Sequence, residues 1–200
     1  MKPKMEKYSV KSIRKCLFVT FLIILISSNL RAQKNSEPWQ NLFNGKNLDG
    51  WEIVGNTGIV KVIDSAITCN MIKETNVHTF VATEKKYDDF ILEMDINTDT
   101  SYNSGVILRA FDAPENCDTC HVSLYGYQVK LDPSITRKWS GGIFYDYGKT
   151  WRWLYPLEND ERAQNAYKVG LWNHFRMEVI GNSIKIWVNG IPVTNLINND

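Results

Sequence analysis

Glu93, Arg109, Gln128, Lys130 and Asp132 place two carboxylates, a guanidinium, an amine and an amide on segments with a period of two. Successive side chains of a β-strand point to opposite faces. Phe90, Leu92, Met94 and Ile96 therefore share one face, and Ile91, Glu93 and Asp95 the other. In the same way Tyr127, Val129 and Leu131 stand opposite Gln128, Lys130 and Asp132. Such a polar sheet face has the groups needed for proton transfer or for binding hydroxyls. The same residues would also make an ordinary solvated face. The neighbouring Trp139, Tyr145, Trp151 and Trp153 favour a ligand site, because indole and phenol rings stack on the C–H faces of sugar rings.

Cys117-Asp118-Thr119-Cys120-His121 is the sharpest short motif. Read literally, Cys-x-x-Cys-His attaches a c-type haem. It sits between two expected strands with no helix pattern after it, which argues against haem and equally against a metal site built from Cys117, Cys120 and His121. A local Cys117–Cys120 disulfide is the expected state in an oxidising compartment. Its short loop adds little by chain entropy, so its role would be to shape the loop. Cys69 is then left over and is expected to be buried and reduced. His78 and His174 have no evident partners and read as core or surface histidines. No phosphate-binding glycine loop or nucleophile elbow is present.

The elements that must hold these residues are strands. Short apolar segments separated by turn residues run through the chain at the spacing of an all-β sandwich. The pattern predicts strands at 51–54, 59–63, 66–71, 78–82, 90–96, 105–111, 125–131 and 142–147, followed by a long irregular stretch. It then predicts 172–180 and 183–188 as a hairpin across Gly181-Asn182, and a short strand at 191–193 after Asn189-Gly190. Residues 159–168 are the only helix candidate, and 195–200 read as a polar tail. Two sheets packed face to face is the economical arrangement.

The first 32 residues read as a leader rather than as part of the fold. Lys2, Lys4, Lys7, Lys11, Arg14 and Lys15 precede an apolar run from Cys16 to Ile26, and Leu30-Arg31-Ala32 offers a cleavage point before Gln33. That order is a secretory signal peptide, too short to span a bilayer. Residues 33–38 form a polar linker and 39–200 a single domain. The leader holds seven of the 23 basic residues and one of the 22 acidic ones. The other 168 residues thus carry 16 basic and 21 acidic residues, a net charge of −5. This acidic balance, with no basic stripe, disfavours nucleic acid as a partner. The expected location is periplasmic or secreted, with no membrane span in the mature protein.

Several segments together resemble the 3-keto-disaccharide hydrolase family. They are Leu42 to Trp51, Phe90 to Glu93, Asn103-Ser104-Gly105 through Arg109, Gly126 to Asp132, Ser140 to Ile143, Trp172-Asn173 and Trp187 to Gly190. The resemblance implies a concanavalin A-like jelly-roll β-sandwich and a substrate oxidised at C3 of a pyranose. A ketone at C3 acidifies the C2 proton, so a base can remove it and the C1 substituent can leave before water adds. Glu93 or Asp132 would then be the base, and Arg109 or Lys130 would stabilise the enolate. Gln128, Trp139, Tyr145, Trp151 and Trp153 would bind the sugar. A non-catalytic carbohydrate-binding module is the alternative on the same fold. No cofactor is expected, with a divalent metal left open.

The chain departs from the family in two ways. Members usually have an acidic or amide residue where Lys130 stands. They also continue past the Asn189-Gly190 hairpin to a closing strand, so this sequence is expected to lack that strand. The leader yields a direct test. Expression of the full reading frame in a secreting bacterial host should give a mature chain whose mass begins at Gln33, and retention of residues 1–32 would refute the cleavage assignment.

Overall fold

The computed structural model describes residues 39–55, 58–71, 78–98, 103–113, 124–132, 134–147 and 150–199. Met1–Asn41 and Leu42–Asp200 are separate units, and the fold below is that of the second. It is a jelly-roll β-sandwich, with twelve strands and one short helix among the described residues. One four-stranded sheet has the order β12 (Ile191–Ile197), β11 (Ser183–Val188), β10 (Asn173–Ile180), β5 (Phe90–Ile96). The other has the order β6 (Ser104–Asp112), β7 (Leu124–Leu131), β8 (Ile143–Tyr147), β9 (Thr150–Tyr155). Two ribbons complete the described strands: β1 (Trp51–Val54) with β4 (Phe80–Thr83), and β2 (Gly58–Ile63) with β3 (Ala66–Met71). All strand pairings among the described residues are antiparallel.

The core lies between the two large sheets. Val129 and Ile143 from one meet Phe175, Met177, Val179, Ile186 and Val188 from the other, all with no solvent exposure. Period-two patterning is the cause. On β10 the residues Phe175, Met177 and Val179 are buried while His174 and Ile180 are exposed. Burying each such side chain is worth about 1.5–3 kcal/mol, enough to fix the register, since a one-residue slip would turn the apolar row to water.

Two amides, a buried one and an exposed one, lock the end of the sandwich where β10 begins. Asn173 is fully buried. Its Nδ2 donates to the carbonyls of Lys168 and Leu171, both at 2.8 Å, and its Oδ1 accepts from Lys168 N at 2.7 Å and Asn189 Nδ2 at 2.9 Å. Asn189 takes a left-handed backbone, φ +52°, in the β11–β12 turn. It bridges to Ala166 O and accepts from His174 N. The Trp172-Asn173 and Val188-Asn189-Gly190 segments are thus two halves of one clamp. Near the start of the domain, Trp51 Nε1 donates to Leu42 O at 2.9 Å, which closes the loop that Asn44 organises by accepting from Lys46 N and Asn47 N.

The structure corrects several expectations. The stretch after Tyr147 holds β9, whose Thr-Trp-Arg-Trp-Leu-Tyr sequence has no clean alternation because a bulge offsets it. Ile143 pairs with Tyr155 and Phe144 with Trp153, so Leu154 is the extra residue and both it and Tyr155 reach the core. The polar tail is shorter than expected, since Asn195, Leu196 and Ile197 pair with Lys185, Ile184 and Ser183. The helix, α1, shrinks to Glu161–Gln164, capped by Asp160 Oδ1 on Ala163 N. Cys69 is exposed on β3 rather than buried. Cys117, Cys120 and His121, with the disulfide, haem and metal expectations placed on them, lie outside the described residues.

The clamp makes a quantitative prediction. Asn173→Leu keeps the volume but leaves the three backbone groups that bond Asn173 without that partner, and should cost about 3 kcal/mol, or roughly 10 °C in Tm. A calorimetric Tm within about 2 °C of wild type would show that the clamp is dispensable.

Candidate functional site

The outward face of the β6–β9 sheet gathers part of the expected set. Ile107, Gln128, Phe144 and Trp153 are cross-strand neighbours in one row, and Gly105 and Lys130 form the next. Lys130 is almost buried. Its Nζ donates to Gln128 Oε1 at 2.9 Å and lies 5.0 Å from the Phe144 ring centroid. Phe144 meets Trp153 edge-on at 5.3 Å, and Trp153 meets Trp139 edge-on at 4.8 Å. The result is an aromatic run, Phe144–Trp153–Trp139, with the amine at one end.

Two glycines make this packing fit. A Cβ on Gly105 would stand 2.6 Å from Gln128 Cγ, and one on Gly142 would stand 2.8 Å from Tyr155 O and 3.2 Å from the Trp153 ring. Gly105 is the glycine of Asn103-Ser104-Gly105. Its role is to leave the Gln128 side chain room to lie across β6.

Asp132, just past β7, organises the loop that brings Trp139 up to the face. Its carboxylate accepts Arg137 Nε at 2.6 Å and Nη2 at 3.0 Å, Ser134 N at 3.1 Å and Trp139 N at 3.4 Å. Its own backbone N–H donates to Ser140 Oγ at 2.8 Å. Burial by itself raises the Asp132 pKa. The hydrogen bonds from Arg137, Ser134 and Trp139 and the charge of Arg137 outweigh it and hold the carboxyl below the usual Asp value. The same carboxylate raises the pKa of Arg137, which stays cationic. Arg137 lies over both indoles, 5.6 Å from the Trp139 centroid and 5.5 Å from that of Trp153. Lys138 Nζ to Asn165 Oδ1 and Thr194 Oγ1 to Gly141 O anchor the two ends of the loop's second half to α1 and to β12.

Not every expected residue joins this face. Glu93 lies on the outward face of the other sheet, paired with Arg176, which also binds Glu178 Oε1 at 2.7 Å. Arg109 belongs to β6, but strand alternation fails there. β6 has one residue more than β7 between the Leu108–Tyr127 and Phe111–Tyr125 pairs, and Arg109 takes φ +51° in that bulge. A bulge re-aims its side chain. Arg109 turns to the carbonyls of Asp88 and Gly181 and to Asp89 Oδ1, tying β6 to the other sheet. Tyr145 meets Tyr127 at 5.5 Å with the rings tilted, one residue out of phase with Phe144. Trp151 pairs with Asp146 in the ladder, and its side chain lies outside the description. His174 has a partner after all, Asp95 Oδ1 at 3.0 Å. Arg137 and Phe144 are the members that alternation alone missed: Arg137 sits in a loop, and Phe144 reads as core until β8 is placed in register. Among the described residues no group of three His, Cys, Asp or Glu side chains is placed to hold a metal ion, and no helix is long and apolar enough to cross a membrane.

The fold has neighbours among glycosyl hydrolases and carbohydrate-binding modules. A glycosyl hydrolase, provisionally so named, from Parabacteroides distasonis ATCC 8503 superposes with a TM-score of 0.56 at 18% identity, covering 80% of this chain and 72% of that one. The carbohydrate binding module CBM66 from Bacillus subtilis superposes with a TM-score of 0.51 at 16% identity, covering 80% and 84%. These likenesses establish the fold. No curated protein sequence matches the chain. The 3-keto-alpha-glucoside-1,2-lyase-like domain matches residues 38–200, and the chain belongs to that family.

The Asp132 pair has a defined pH signature. A carboxyl whose folded pKa is depressed contributes stability that is complete above the unfolded value, about 3.9, and is lost as pH falls through the lower folded value. Asp132→Asn should therefore be less stable than wild type by about 2 kcal/mol at neutral pH. In urea unfolding the gap should stay constant from about pH 5 upward and close below about pH 4. A gap independent of pH would refute the ionic account.

Proposed function

We propose that this protein is an exported enzyme that cleaves glycosides carrying a ketone at C3 of the pyranose. One observation carries the proposal. In a chain of this family, Lys130 and Gln128 stand on a rigid sheet at the end of the Phe144–Trp153–Trp139 run. The aromatic rings give a sugar a surface to stack on, and Gln128 and Lys130 give its oxygens polar partners at fixed positions.

The proton-handling role falls to Lys130 on this reading. Asp132 is a poor base, since its oxygens are filled by Arg137, Ser134 and Trp139 and its pKa is depressed. Glu93 is on the other sheet. The Lys130 amine takes the C2 proton, which the C3 ketone has made acidic. The electron pair forms the C1–C2 double bond as the C1 substituent leaves, and water adds afterwards to complete hydrolysis. An amine held against an aromatic ring by an amide oxygen is positioned for that single transfer.

A binding module is the second reading, and the state of Asp132 favours it, because the carboxylate on this face is already saturated. The two readings separate on turnover. The mature protein should release reducing sugar from 3-keto-glucosides, and Lys130→Met should lower kcat at least 100-fold while KM changes only a few-fold, both by about the margin expected for an acid–base group. Sugar bound by wild type without turnover would sink the enzyme reading in favour of the module.

A further inference from the structure

Arg137 is more than the partner of Asp132. A guanidinium has five N–H donors, and Asp132 takes one from Nε and one from Nη2. Among the described residues the two N–H groups of Nη1 have no hydrogen-bond partner. The Asp132 side chain is 1% exposed and that of Arg137 44%, so the pair is buried at its carboxylate and open at its guanidinium. Side-on pairing through Nε and Nη2 also fixes where Nη1 points, which is away from the carboxylate. The guanidinium lies over Trp139 and Trp153, the rings a sugar would stack on. Its donors are thereby held in place before any ligand arrives, and preorganised donors are worth most where negative charge develops.

We propose that the open Nη1 edge of Arg137 binds the oxygen at C3 of the substrate sugar and stabilises the enolate that forms there. This deepens the 3-keto-glycoside reading and rests on it for the identity of the ligand. The step balances within the site. The C2–H bond breaks, the proton passes to Lys130 Nζ, its electron pair becomes the C2–C3 π bond, and the C3 carbonyl π pair moves onto oxygen. That oxygen accepts from Nη1. Collapse of the enolate re-forms the C3 carbonyl, moves the C2–C3 π pair to C1–C2 and expels the C1 substituent with its bonding pair. Return of the proton to C2 instead gives back the starting ketone, which is the exchange branch.

The partial reaction gives the test. Exchange of the C2 hydrogen of 3-keto-glucose for deuterium in heavy water, followed by NMR, requires the enolate but no cleavage. Wild type should catalyse this exchange. Arg137→Lys, which keeps a cation beside Asp132 but lacks the forked donors, should slow it at least tenfold with sugar affinity changed less than threefold and the fold intact by circular dichroism. Added guanidinium ion should restore part of the exchange in Arg137→Gly. Exchange without cleavage of 3-keto-glucosides would remove the glycosidase reading and leave the Arg137 role standing. Exchange by Arg137→Lys at the wild-type rate would overturn the Arg137 role alone, and no exchange by wild type would overturn both.

Discussion

The buried carboxylate of Asp132 is the constraint on which the arrangement of the candidate face depends. A charge that is 1% exposed is costly unless it is paired and hydrogen-bonded. Here it is satisfied by a guanidinium and two backbone N–H groups, all from the next seven residues. Because those donors are spaced along the loop, satisfying the carboxylate also folds the loop. Ser134 N sets its first turn, Arg137 its middle and Trp139 N its return to the sheet. The indole of Trp139 then stands against Trp153 as a consequence of electrostatics rather than of hydrophobic packing alone. Breaking the carboxylate's partners would displace the aromatic run and the guanidinium together, which couples stability to site geometry.

The strands were legible in the sequence wherever one face is core and the other is not. Phe90–Ile96 and β11 were read to the residue, and β10 to within one. Three of the misreadings share one physical cause: a bulge adds a residue and breaks the period of two. It hid β9 by placing Leu154 and Tyr155 both inward. It also shortened the expected β12, where the ladder skips Val193 and both Val193 and Thr194 are buried. On β6 it sent Arg109, assigned to the polar face by alternation, across to Asp88, Asp89 and Gly181. Gln128 and Lys130 fall on one face as expected because β7 runs unbroken through them, while Asp132 lies just past its end and acts through the loop.

Several of the residues that carry the family resemblance are explained by architecture. Asn173 and Asn189 close the clamp at the start of β10, Trp51 closes the first loop, Gly105 makes room for Gln128, and Arg109 ties the two sheets. A chain could keep all of these and still vary its chemistry. That separation matters for Lys130, where the resemblance leads one to expect an acid or an amide. The scaffold that presents this position does not depend on its identity, since Lys130 N and O bond Gly142 O and Gly141 N through the backbone. Exchanging the side chain there changes the face and leaves the ladder intact.

The same reasoning separates the two outward faces of the sandwich. On the β5–β10–β11–β12 sheet, Arg176 is bonded by Glu93 and Glu178, and Asp95 by His174, so charges on that face are matched locally by their neighbours. On the β6–β9 sheet the matching is lopsided. Asp132 is satisfied completely and inwardly, while its partner Arg137 is satisfied on one edge and presents the other over two indoles. A structural ion pair needs only to neutralise the buried charge, and a lysine ammonium at 137 would do so. An arginine, with a planar fork that can bind Asp132 on one side and a second acceptor on the other while stacking on aromatic rings, is what a surface requires if the pair must both hold a loop and meet an oxygen. The geometry at Arg137 therefore joins the element that builds the face to the chemistry proposed for it.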